Sequence, residues 1–284
     1  MISSRLLRAV PALAVALAFA ACERGFGDAA EPQLVVEGWI DSGGFPVVML
    51  SRTVPITDEY RPTSELADYV ERWARVAVAD GQREVVLVGR HDADCFPPYV
   101  YTTSDLRGEP GHTYRLTVDC TDGTHAEATA TIPEPAPIDS LAVEPVAHAD
   151  SLRQVYAFVG GRRDSCFYKL FTHVLGKPYG YMSSYLGIAE GRMLPADGKM
   201  PVNPGRLNID SDFTPCFEAG DTVMVKLASI TEEAYRFWRD FEDMTTLSRN
   251  PLFPVTNNLH SNIDGGLGYW FGYGACFATL TVGP

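Results

Sequence analysis

The stretch SNIDGGLGYWFGYG, Ser261 to Gly274, places four aromatic residues and five glycines in fourteen positions near the C-terminus. It alternates as a β-strand does, with Tyr269, Phe271 and Tyr273 on one face and Trp270, Gly272 and Gly274 on the other. One side is crowded and the other nearly bare. Glycines on the bare side admit a closely packed neighbour, so the stretch predicts a closing strand whose aromatics fill a core. The competing reading is a ligand platform built from the same rings.

Working outward, the other segments carry the same period. LVVEGWI and VVMLSRTVPI flank the Gly-Gly turn of DSGGFP, which reads as a hairpin starting at Leu34. RVAVADGQREVVLV, Arg75 to Val88, repeats the form around Asp80-Gly81, a pair suited to positive φ. PYVYTTSDL and HTYRLTVDC flank RGEPG as a third hairpin, and THAEATATI adds one more strand. PEPAP, Pro133 to Pro137, cannot feed a sheet ladder and predicts a stiff linker. Beyond it IDSLAVEPV, VYAFVGG, CFYKLFTHVL, DTVMVKLASI and GACFATLTV are again short strands.

One helix interrupts them. Thr231, Glu232 and Glu233 supply a cap and two acids for the helix dipole. Ala234, Trp238, Phe241 and Thr245 then form an apolar stripe, predicting a helix over about 231–246 that covers one end of a sandwich. No alternation of helix and strand appears, which excludes a doubly wound parallel sheet. The expected fold is mainly β, with two antiparallel β-sandwich domains of immunoglobulin-like or transthyretin-like kind. Residues 34–132 form the first, 133–137 the linker, and 138–284 a β-rich second domain with the helix.

The N-terminus reads MISSRLLRAVPALAVALAFAAC. Arg5 and Arg8 precede an apolar run that is shorter than the roughly 20 residues a membrane span needs, and small residues precede Cys22. This is a secretory signal peptide over 1–21. Phe19-Ala20-Ala21-Cys22 resembles a bacterial lipobox, although Phe19 stands where Leu or Val is usual. Cleavage there would leave Cys22 as the lipidated first residue, with 22–33 as a tether. It would also remove Arg5 and Arg8, taking the net charge from -13 to -15. Such a charge repels phosphate backbones and disfavours nucleic acid as a partner. Stable anchoring requires more than one acyl chain.

Five cysteines remain beside Cys22, in an exported and oxidising setting where disulfides persist. Cys95 and Cys120 end the two strands around RGEPG symmetrically, which predicts that they lie opposite each other and form a disulfide. The pairing of Cys166, Cys216 and Cys276 cannot be read from spacing. Zinc spacings such as CxxC or HxxxH are absent. His91-Asp92-Ala93-Asp94 reads as a solvated loop. Asp210, Asp212, Glu218 and Asp221 match a calcium loop only weakly, with Pro215 where Gly is wanted.

The sequence carries no GxSxG, HExxH, P-loop or complete GxGxxG motif, and each histidine stands alone. The expectation is therefore a protein without catalytic residues, metal or cofactor, and a hydrolase with a dispersed site is the less favoured reading. Gly176 to Pro215 reads as a long irregular segment, rich in Gly, Pro and Tyr. Such segments are usually functional or disordered. Tyr179, Tyr181, Met182 and Tyr185 are its candidate contact residues.

Several stretches together carry a resemblance. NPLFPVTNNLHSNIDGGLGYWFGYG, GDTVMVKLASITEEAYRFW, LVVEGWI, VMLSRTVPI, GEPGHTYRLTV and ATATIPEPAPIDSL resemble, over nearly all of the mature chain, a Bacteroidota lipoprotein family, domain of unknown function 4249. The resemblance implies an outer-membrane lipoprotein, at the cell surface or on the periplasmic face, with a TonB-dependent receptor as a partner. Glu23, Asp28 and Glu31 after Cys22 resemble the acidic surface-export signals of that phylum. The resemblance brings no catalytic residues with it. The leading functional expectation is a non-enzymatic accessory protein that binds a small nutrient, peptide or glycan. The alternative is a structural or adhesive envelope protein.

Overall fold

The computed structural model describes residues 32–54, 68–161, 164–178, 180–205, 213–247 and 259–283. The predicted signal peptide, Cys22 and the tether up to residue 31 lie outside the described residues, as do Asp210 and Asp212 of the calcium-loop reading.

The chain opens with a hairpin of β1 (Leu34–Asp41) and β2 (Pro46–Arg52). A second hairpin, β3 (Ala74–Ala79) and β4 (Glu84–Val86), turns at Asp80-Gly81 as its sequence predicts. The Asp80 Oδ1 accepts the amides of Gln82 and Arg83 at 2.9 and 3.0 Å, an Asx turn that spends the aspartate locally. Then follow β5 (Val88–His91), β6 (Tyr99–Thr102), β7 (Thr113–Cys120) and β8 (His125–Thr131). Past the proline segment come β9 (Ile138–Val146), β10 (Ala149–Val159), β11 (Phe167–Val174), β12 (Met182–Glu190) and β13 (Lys199–Val202). The chain continues with β14 (Phe217–Glu218), β15 (Thr222–Ile230), helix α1 (Glu232–Leu247) and β16 (Leu267–Thr281).

The protein is mainly β, as its alternating segments predict, and α1 is the one α-helix among the described residues. An eight-stranded sheet runs in the order β12-β11-β15-β16-β1-β2-β6-β5. Two smaller sheets cover one of its faces. Against β1, β2 and β6 lies the sheet β4-β3-β7-β8, and the core between them holds Val36, Ile40, Leu50, Val76, Leu116, Ala128 and Trp270. Against β11, β15 and the end of β16 lies the sheet of β9, β10, β13 and β14, enclosing Val155, Ala157, Tyr168, Leu170, Met200, Phe217 and Leu227. The fold thus has two sandwich cores and one continuous sheet through both.

Strand β16 makes that continuity. It pairs antiparallel with β15 and parallel with β1, setting Glu37 beside Tyr269 and Trp39 beside Phe271. Trp270 points into the first core, where its indole nitrogen donates to the Tyr114 carbonyl at 3.0 Å. Gly38 makes room for it, since a Cβ there would stand 2.8 Å from the ring. The bare face of β16 is bare for a similar reason. A Cβ on Gly272 or Gly274 would lie 2.6 or 2.3 Å from the carbonyl oxygen of Thr131 or Pro133. The proline segment therefore packs directly on the strand, and the amide of buried Ala136 donates to Ser229 Oγ at 3.0 Å.

Two expectations are corrected. β6 and β7 are not a hairpin: β6 pairs with β2 and β5 in the large sheet, while β7 pairs with β3 and β8 in a small one. The chain crosses from one layer of the sandwich to the other at RGEPG, so the symmetry that set Cys95 opposite Cys120 does not exist. Both are free thiols, as are Cys166, Cys216 and Cys276. The second correction concerns 176–215, which is not irregular throughout because it contains β12 and β13. Its glycines and prolines mask the strands. In β12, Leu186 adopts a φ of 49° where the pairing with β11 shifts register, which breaks the alternation a reader would look for.

Candidate functional site

The second face of the large sheet is built by the odd-numbered residues of β1 and β16. On β1 these are Val35, Glu37, Trp39 and Asp41, a mixed polar and apolar row that would suit a water-exposed face. Helix α1 covers part of it instead. Thr231 caps the helix by accepting the Ala234 amide at 3.3 Å, and α1 buries Ala234, Phe237 and Trp238 against Tyr269, Phe271 and Tyr273. The rings meet edge-on or tilted, with Phe237 4.9 Å from Tyr269 and Trp238 5.5 Å from Phe171. The opening stretch is therefore a closing strand, with its aromatic face forming the seat of the helix.

Between the helix and the uncovered part of the sheet lies a cavity of about 850 Å³. Its floor is β1 and β16, through Glu37, Trp39, Asp41, Tyr269 and Tyr273. Helix α1 supplies Trp238, Phe241, Glu242 and Thr245 as one wall. The mouth is framed by the loop Asp92 to Phe96 and by Gly180 to Leu186, the start of β12, which are joined where the Gly180 amide donates to the Asp94 carbonyl at 2.6 Å.

Two lysines are buried beside this space, each with a carboxylate. Lys226 on β15 places Nζ 2.6 and 2.8 Å from the two oxygens of Asp41. The same ammonium faces the rings of Tyr273, Phe171 and Trp39 at 4.8, 4.9 and 6.0 Å. Lys169 on β11 reaches Glu242 of α1 at 2.5 Å and the Ser184 carbonyl at 3.2 Å, pinning the helix to β11 and β12. Burial lowers the Lys169 ammonium from its ordinary value, and the Glu242 carboxylate opposes that shift.

Glu37 differs from both acids. Part of its surface faces the cavity, yet it lies deep within protein, and burial raises its carboxyl above the ordinary value. Among the described residues no cation or hydrogen-bond donor meets its carboxylate. The Tyr269 hydroxyl opposite is pushed well up, first by burial and then by the Glu37 charge. Cys95, on the loop at the mouth, has its thiol raised to about 11 by burial and by Asp92 and Asp94.

The candidate contact residues fall as follows. Tyr181, Met182 and Tyr185 line the cavity at its mouth. Tyr181 packs against His173 and Phe277 at 6.2 and 5.7 Å, and Tyr185 meets Phe213 at 5.2 Å. Tyr179 lies outside the described residues. Cys95 joins them at the cavity, whereas Cys120 ends β7 in the first core. Sequence reasoning did not find Glu37, Asp41, Lys226 or Glu242. Their one sequence signal is a charge inside an otherwise apolar strand or stripe.

Among the described residues no group of three or more His, Cys, Asp or Glu side chains is placed to hold a metal. Asp92 instead accepts from Arg90 at 3.1 Å and from the Asp94 amide at 3.1 Å. Nor is any described helix long and apolar enough to cross a membrane.

Residues 25–275 match the family described as Domain of unknown function (DUF4249), and the chain belongs to that family. No curated protein matches it. Among solved structures, the crystal structure of chicken CNTN1 FN1-FN3 domains is similar over 70% of this chain and 60% of that one, at 11% identity and a TM-score of 0.25. The chain thus spans about 60% of the length of that relative.

Proposed function

We propose that this protein is a non-enzymatic lipoprotein of the outer membrane, anchored through Cys22, that binds a small ligand in the cavity beneath α1 as an accessory to a TonB-dependent receptor. The observation that carries the binding role is the cavity itself. Its volume of about 850 Å³ lies within the range of small-molecule sites. Its lining combines aromatic rings such as Trp39, Trp238 and Tyr269 with charged and hydroxyl groups such as Glu37, Asp41 and Thr245, which give a ligand area and orientation together. The tyrosine-bearing segment 180–186 lines one side of the cavity, and its side chains offer contact area at low entropic cost. The anchor and the receptor rest on the sequence of the N-terminus and on the family resemblance.

The test uses the full-length protein purified in mild detergent from native outer membranes, beside the Tyr181→Ala/Tyr185→Ala variant and the Cys22→Ser variant. Wild type is expected to carry a small molecule or a receptor, and the double tyrosine variant to lose it while melting at nearly the same temperature. Cys22→Ser is expected to lose the mass of the acyl chains. Equal capture by wild type and the tyrosine variant would refute the placement of the site. Equal masses, after correcting for the substitution, would refute the anchor.

A further inference from the structure

We propose that the cavity takes a small organic cation, a primary or substituted ammonium on an apolar body, with the Glu37 carboxylate as its counter-charge. This rests on the ligand-binding reading above and names the chemical class of the ligand.

The same face of the sheet already holds two ammonium groups, Lys169 with Glu242 and Lys226 with Asp41. Lys226 sits between the Asp41 carboxylate and the rings of Tyr273, Phe171 and Trp39, so charge and π faces together replace its water. Glu37 repeats half of that arrangement. It lies four residues before Asp41 on the same face of β1, with Trp39 between them and Tyr269 beside it in the next strand. What it does not have, among the described residues, is a cation. Its carboxyl is shifted by burial alone, with no neighbouring charge acting on it.

A buried carboxylate without a partner is costly, and the protein can relieve it by protonation or by binding a cation. The surroundings favour the cation. Asp94 and Asp92 also line the cavity, and although Arg90 offsets Asp92, Asp94 leaves negative charge there that favours a positive ligand. The cation in the lining, Lys226, is already neutralised by Asp41, which weakens its pull on an anionic group.

The experiment titrates the full-length protein with benzylammonium and, separately, with benzyl alcohol, which has the same shape without the charge. Calorimetry gives the affinity, and fluorescence of Trp39 and Trp238 reports occupancy of the cavity. Wild type is expected to prefer benzylammonium by about tenfold or more, and Glu37→Gln to erase the preference. The preference is also expected to fade in wild type as pH falls through the raised Glu37 value, because only the carboxylate attracts the cation. The other groups facing that space are Tyr269, Cys95, Asp92, Asp94, the Asp41–Lys226 pair and Glu242 with Lys169.

Equal binding of both probes, unchanged by Glu37→Gln, would overturn the cation while leaving the cavity as a binding site. Binding of neither probe would overturn the cation as well, and capture from native membranes would then decide the wider reading. Should Glu37→Gln fail to fold, the wild-type pH series decides: a preference that persists below the ordinary carboxylate range would refute the role of Glu37.

Discussion

The Lys226 ammonium lies within 2.8 Å of both carboxylate oxygens of Asp41, a residue 185 positions away in the chain. β15 and β1 are not neighbours in the sheet, so this pair reaches across β16 and ties the second half of the protein to its first strand. Both side chains are largely buried. Removing one partner leaves a charge without compensation, whereas replacing both with apolar residues does not. Asp41→Ala is therefore expected to cost about 3–5 kcal/mol, and Asp41→Leu with Lys226→Met much less. Urea unfolding checks this, and equal losses in the two variants would show that the ion pair is not what the site requires.

Gly272 supports the same junction from the opposite face. A Cβ there would stand 2.6 Å from the Thr131 oxygen and 2.8 Å from the Ile132 nitrogen, both of them backbone atoms that cannot turn aside. Gly272→Ala is expected to force the end of β8 away from β16 and to destabilise by about 1–3 kcal/mol. Gly180→Ala is the control, because its Cβ would meet nothing closer than 3.4 Å. A Gly272→Ala protein that melts with wild type would mean that the end of β8 is not packed on the strand.

The parts of this fold that could be read in the sequence are those decided by neighbours in the chain. Asp80-Gly81 makes its turn from its own side chain, and Thr231 caps its helix within one turn. The alternation of Tyr269 to Gly274 records two different environments on the two sides of one strand. Pairing between distant strands leaves no such record. β6 and β7 read as a hairpin because a strand, a turn and a strand look alike whether the second strand pairs with the first or crosses to another layer. The parallel contact of β1 with β16 joins residues more than two hundred positions apart. The cavity was half legible for the same reason. Tyr181, Met182 and Tyr185 stand out in a segment rich in Gly and Pro, but Glu37 and Asp41 look like the solvent face of an ordinary strand until α1 is seen above them.

The layer crossing at RGEPG has a chemical consequence. Cys95 lies at the cavity mouth and Cys120 at the end of β7 in the first core, and burial holds both thiols up at about 11. Thiols so shifted are poor nucleophiles at neutral pH. Non-reducing peptide mapping of the native protein is expected to find both as free thiols, with slow alkylation until the protein is unfolded. A linked Cys95–Cys120 peptide would contradict the strand pairing that separates them.

Those two thiols also set the alkaline limit of the fold, together with Tyr101, whose hydroxyl burial raises to about 12. In each case the folded value lies above the unfolded one, so the folded state holds the proton longer. The stability they contribute is complete below the unfolded values, near 9 for the thiols and 10 for the tyrosine, and is lost as pH rises through the folded ones. Tyr269 and Tyr273, raised further by burial, extend the loss to higher pH. Lys169 acts in the opposite direction, because burial lowers it and a rising pH removes its cost. The raised thiols and tyrosines, Cys216, Tyr114, Tyr181 and Tyr235 among them, outnumber the lowered Lys169, so the melting temperature is expected to fall between about pH 9 and pH 11. Cys120→Ala should flatten that fall, since its thiol no longer titrates, while Lys169→Met should steepen it. A melting temperature constant across this range in wild type, or unaltered slopes in both variants, would show that these buried groups do not govern the alkaline transition.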